Sequence, residues 1–219
     1  MASIDLTSAL NRFWLPAWQA LGTEPSSGYL PSLLARYDEP HRHYHTRQHL
    51  AECFAHFSQV QAACEHWPEV ALALWYHDAI YQRHGDNEAA SAALAITQLR
   101  GVGVAFPACQ RIEALIWVTR HAAPPSTTDQ SLLIDIDLAI LGASTERYAE
   151  YSRQVRAEYR WVPSFFYRRG RRRILESFLA QPSLYHHPPM RQALEASARR
   201  NLTAEITSLR RGALYRMGI

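Results

Sequence analysis

The sequence predicts an all-α protein, a single bundle of roughly eight to ten helices spanning residues 1–219. Three observations lead there. Apolar residues recur at three- and four-residue steps in almost every segment. Helix start and stop residues punctuate the chain at matching intervals. Only LLIDIDLAIL (132–141) partly alternates as a strand would, and the Gly142 that follows it suits a helix C-terminus equally.

Taken in order, the first 36 residues should hold two short helices, bent or broken near Pro16 and Pro31. Thr46 to Trp67 carries Leu50, Cys53, Phe54, Phe57, Val60 and Cys64 on one face, an amphipathic helix. Pro68 suits a first helical turn, so a more buried helix should run from Glu69 to Ile80. Asp86-Asn87-Glu88 supplies a capping residue and an early acid for a helix ending near Gly101. Pro107 opens another that closes near His121, before Pro124 and Pro125. Ser144 is the expected N-cap of a helix through Trp161. The last two should cover Pro163 to Ala180 and Met190 to Arg211, the latter packing on the domain's own core in preference to a homodimer partner.

The composition excludes several function classes. With 47% apolar and 20% charged residues, the chain is globular and not disordered. No uncharged apolar run reaches the ~18 residues of a membrane span, and the N-terminal MASIDLTSALNRF lacks a basic start before an apolar core, so no secretion signal is expected. Cys53, Cys64 and Cys109 are widely spaced and odd in number, which suits free thiols in the cytoplasm. All 23 basic residues are arginine, which removes a Walker-type lysine, a Schiff-base lysine and a lysine base. Nine of them fall between Arg147 and Arg173 against Glu150 and Glu158, giving a segment of +7 (9 − 2) in a chain of +3. Such a segment suits a phosphate-bearing partner or a solvated helix face.

Histidines point to chemistry. Eight of 11 lie between His41 and His84, four of them within EPHRHYHTRQHL (39–50). On a helix beginning near Thr46, His45 sits at the mouth and His49 one turn in, on the same side. Further on, LWYHDAIY (74–81) sets His77 and Asp78 in apolar and aromatic surroundings, where a carboxylate needs a cation beside it, an arginine or a metal. Asp135 and Asp137 stand among aliphatics. Two apart on a helix, they face opposite ways, so one at most can join a shared ion. Two imidazoles, two carboxylates and water suit Mn, Fe, Ni or Zn, and Mg less well.

The order His49, His77-Asp78, Asp137 resembles the HD superfamily of metal-dependent phosphohydrolases. The blocks YHTRQHL, WYHDAIY, GDNEAASA, DIDLAILG and YSRQVRAEY together resemble a bacterial subgroup of predicted HD phosphohydrolases, from about Leu6 to Tyr215. The resemblance implies a divalent metal ion held by His49, His77, Asp78 and Asp137, with the Asp-Leu context choosing Asp137 over Asp135. It also implies His45 as general acid, by likeness to the cyclic-nucleotide phosphodiesterases. His121 falls where two-metal members carry an extra histidine and counts here among the substrate-side candidates. Glu88 either orients the attacking water or only charges a helix start. Arg156 and Tyr159, and more broadly Arg168 to Arg173, are candidates for neutralising phosphoryl oxygens.

The implied activity is hydrolysis of a small phosphorylated molecule: a phosphomonoester, a phosphodiester or a nucleotide. The alternative is a metal-containing nucleotide sensor without turnover. No membrane partner is expected. Nucleic acid is disfavoured, because neither an RNA-binding motif nor a helix-turn-helix is evident.

Overall fold

The computed structural model describes residues 10–214, and among these there are ten α-helices and no strand. The all-α expectation therefore holds. The chain divides into two compact units, Met1–Asp137 and Leu138–Ile219.

In the first unit a π-helical turn (Leu10–Trp14) leads into α1 (Leu15–Ala20), followed by α2 (Tyr29–Tyr37), α3 (Arg47–Val60) and α4 (Trp67–Tyr76). Then come α5 (Asn87–Gly101), α6 (Phe106–Val118) and α7 (Thr128–Asp137). Pro16 lies in the first turn of α1 and Pro31 in that of α2. A missing N–H costs nothing there, so these prolines start helices and do not break them. Helix α4 is apolar on every side, and Val70 to Tyr76 are fully buried. Such a helix belongs at a centre, and α1, α3, α5, α6 and α7 all pack on it. Aromatic rings seal one flank. Phe54 lies 4.5 Å from Trp75 and 5.5 Å from Phe13, a geometry that adds to plain area burial.

Two polar ties set α4 in place. Glu69, buried in its first turn, accepts both arms of the Arg111 fork at 2.6 and 2.7 Å. Asp129 of α7 accepts from the backbone N–H groups of Glu65 and His66 at 2.8 and 2.9 Å, serving the donors that precede the helix. The expected continuous helix from Thr46 to Trp67 does not form. It stops at Val60, passes through a 3-10 turn (Gln61–Ala63) and extends at Cys64, because Asp129 claims that backbone. Helix α4 likewise ends at Tyr76, earlier than the expected Ile80.

In the second unit a 3-10 turn (Leu138–Gly142) precedes α8 (Thr145–Glu158), α9 (Ser164–Leu179) and α10 (Pro188–Leu214). Ser144 caps α8 as expected, accepting from Arg147 N–H at 3.3 Å. The 3-10 turn packs on α10, where the Asn201 amide donates to the carbonyls of Leu141 and Ala143 at 2.9 and 3.0 Å. Inside this unit Arg171 pairs with Glu205 at 2.9 Å, and the Tyr148 hydroxyl donates to the same carboxylate. The residues expected of the terminal helices before 10 and after 214 lie outside the described ones.

Gly142 marks a close approach. A Cβ there would stand 2.7 Å from Leu194 Cβ and 2.9 Å from its carbonyl oxygen, and a backbone atom cannot step aside cheaply. Gly142→Ala should lower the stability of the second unit by about 1–3 kcal/mol in denaturant melts, the usual cost of overpacking.

Candidate metal centre

Four side chains from three segments of the first unit converge, with His49 and His77 each close to both Asp78 and Asp137. His49 comes from the first turn of α3, which Thr46 caps by accepting from Gln48 N–H at 3.3 Å. His77 is the C-cap of α4, and Asp78 lies in the turn beyond it. On a continuing helix His77 and Asp78 would diverge by ~100°. The helix ends, and the chain turns so that both reach the same centre. Asp137 is the last residue of α7.

The spacing is tight. His49 Nε2 lies 3.1 Å from His77 Nε2, 3.4 Å from Asp78 Oδ2 and 3.3 Å from Asp137 Oδ1. His77 Nε2 lies 3.1 Å from Asp78 Oδ2 and 3.6 Å from Asp137 Oδ1. An ion with bonds of about 2.1 Å to nitrogen and oxygen separates neighbouring donors by about 3.0 Å in octahedral and 3.4 Å in tetrahedral geometry. The donor set fits a metal ion on distance as well as on chemistry. His77 is already aimed: its Nδ1 donates to the Leu74 carbonyl at 2.8 Å, which turns Nε2 toward the cluster. The imidazoles are 2% and 1% exposed and the Asp78 and Asp137 carboxylates 20% and 18%, so the centre opens to solvent on its carboxylate side.

Without a cation the groups balance one another by protonation. Burial alone would pull His49 down, but Cys53 and Tyr44 beside it and the Asp137 and Asp78 carboxylates hold it well above the usual imidazole range. His77 is raised likewise, with burial outweighed by Asp78 and Asp137. Burial would push Asp78 up, yet His77, His45 and His49 hold it well below the ordinary carboxylate range. Asp137 is held low against burial by His121, His49 and His77.

Sequence reasoning missed two participants. Cys53, one turn beyond His49, puts its Sγ 3.7 Å from both ring nitrogens and joins His49, His77 and Asp137 in a set whose ligand atoms lie within 4.8 Å of one another. By sequence it is one more apolar position of α3, although its four-residue spacing from His49 is visible. Arg42 is the second. Its buried guanidinium donates to the carbonyls of Asp78 (2.6 Å), Ala79 (2.9 Å) and His45 (3.1 Å), with its Nε on Glu39 at 3.0 Å. It therefore ties the turn beyond α4 to the segment that carries His45, and meets the bare carbonyls at a helix C-terminus with a cation.

The other expected residues fall as follows. His45 stacks on Tyr81 at 4.2 Å, with its ring 6.0 Å from that of His49. His121 Nε2 lies 3.5 Å from Asp137 Oδ2, the oxygen turned away from the cluster, and its backbone adopts φ 53°, an uncommon left-handed conformation. Asp135 is fully buried in the interior of α7 and is not among the converging donors. Glu88 stands in the first turn of α5, whose N-cap is Asp86, and is also outside that set. Arg156 and Tyr159 belong to the second unit. The Arg156 guanidinium donates to the carbonyls of Tyr159 at 2.6 Å and Val162 at 3.2 Å and lies over the Tyr167 ring. Tyr159 is 41% exposed.

No family model, curated protein or solved structure matches the chain.

Two outcomes follow from this geometry. Metal must displace the protons that His49 and His77 hold, so affinity should rise with pH and uptake should release up to two protons, read by calorimetry in buffers of differing ionisation heat. Arg42→Ala frees the turn that carries Asp78 and should weaken metal binding about 10- to 100-fold in chelator competition, with the circular dichroism spectrum retained.

Proposed function

We propose that the chain is a metal-dependent phosphohydrolase acting on a phosphomonoester, a phosphodiester or a nucleotide. The observation that supports it best is the meeting of His49, His77, Asp78 and Asp137 at ion-ligand spacing with one side open to solvent. Those four residues would hold a divalent ion, and their mixed nitrogen and oxygen donors favour Mn, Fe, Ni or Zn over Mg. When bound, such an ion lowers the pKa of water and polarises a phosphoryl oxygen.

The protein's own groups supply the rest. His45 is the proposed proton donor to a leaving oxygen, a reading supported by its ring lying 6.0 Å from that of His49 and stacking on Tyr81. His121 steadies Asp137 through the outer carboxylate oxygen. Glu88 is the proposed partner of the attacking water.

One observation favours a second reading, a nucleotide sensor that keeps its metal without turnover. If Cys53 ligates beside His49, His77 and Asp137, four protein donors fill a tetrahedral site and leave no open position.

Elemental analysis of protein purified without chelator, followed by hydrolysis of nitrophenyl phosphates and nucleotides with Mn²⁺, tests the first reading. His77→Ala and Asp78→Ala should lose metal and turnover together; turnover retained without metal overturns it. His45→Gln should keep its metal while kcat falls about 10²- to 10⁴-fold. Cys53→Ala separates the two readings: the hydrolase keeps metal and activity, whereas the closed site loses its ion.

A further inference from the structure

We propose that the outer face of α9, with the loop before it, docks on an anionic lipid bilayer. From Tyr159 to Leu175 there are six arginines and no acidic residue. Arg171 turns inward to Glu205 and Leu175 is buried, which fixes the inner side of the helix. The other side carries two adjacent rows at four-residue spacing, Phe165-Arg169-Arg173 and Phe166-Gly170-Ile174. Phe165, Phe166 and Ile174 are 61%, 64% and 51% exposed, and Trp161 in the preceding loop is 41% exposed. Single exposed apolar side chains need no explanation, but four grouped on one basic face form a patch that marks an interaction surface.

Gly170 adds an independent sign. Glycine weakens a helix interior, and a Cβ at this position would meet nothing within 4 Å, so packing inside the chain does not require its absence. Its effect is to lower the surface between the phenylalanines and Ile174, where a flat partner can approach the backbone.

Charge complementarity calls for an anionic partner, and the rings decide which kind. Phe165 and Phe166 stand edge to face at 5.5 Å with Ile174 two turns on, a compact apolar wedge and not a row of ring faces spaced for successive bases. Ile174 has no π-face at all. A bilayer accepts every one of these side chains, with hydrocarbon around the wedge and arginines at the level of the phosphates. A second copy would set Arg169 and Arg173 against like charge. The sequence by itself suggested no membrane partner; the exposure of this face is what the structure adds.

Co-sedimentation of the full chain with phosphatidylcholine vesicles, with and without about 30 mol % phosphatidylserine, tests the proposal. Binding should require the anionic lipid and weaken as salt rises. Phe165→Ser/Phe166→Ser and Arg169→Glu/Arg173→Glu should each reduce it at least about tenfold while the thermal melt stays unchanged, since all four positions face solvent. Four results would overturn it: no binding to anionic vesicles, binding untouched by both variants, tighter binding to single-stranded DNA or RNA at equal ionic strength, or variants whose only effect is to split a dimer.

Discussion

Two imidazole nitrogens 3.1 Å apart inside a protein cannot both present lone pairs to each other. A proton or an ion must lie between them, and the Asp78 and Asp137 carboxylates alongside favour the charged form of both rings. This requirement makes sense of the first unit. The buried α4 delivers His77 to the centre and stops there, α3 starts where His49 is needed, and α7 ends on Asp137. Each of these side chains sits at or near a helix end, where the backbone can change direction and bring neighbouring side chains to one side. Mid-helix positions would have scattered them.

The support around the centre follows the same logic. Arg42 is a buried cation that touches no carboxylate of the cluster; it serves carbonyls freed by the end of α4, and so gives the turn a fixed shape. The cation that the apolar setting of Asp78 demands is thus not this arginine. It is the imidazolium pair or a metal in its place. The open carboxylate side is then where a solvent-borne ligand would arrive.

Much of this was legible in the chain. Helix periodicity, the start near Thr46 and the caps at Asp86 and Ser144 are local patterns, and local patterns survive folding; the order of His49, His77, Asp78 and Asp137 is visible too, but only the fold brings the four together. What was hidden depends on distant partners. The early end of α3 is imposed by Asp129, more than 60 positions away in sequence. Cys53 was concealed by its own chemistry, because a buried thiol and a small apolar side chain occupy the same stripe. Arg42 looked like any other arginine, since burial is not written in residue type. Spacing alone does not separate Asp135 from Asp137; the end of α7 is what brings Asp137 to the cluster. Nor does any shift of composition mark the division after Asp137.

The backbone at His121 carries a lasting consequence. A branched-free imidazole residue in the left-handed region gives up conformational comfort that glycine or asparagine would keep. Glycine or asparagine could hold the same turn, but without a ring beside Asp137. That corner of the molecule therefore ties ring to backbone: a change that relaxes the turn also shifts the imidazole relative to Asp137.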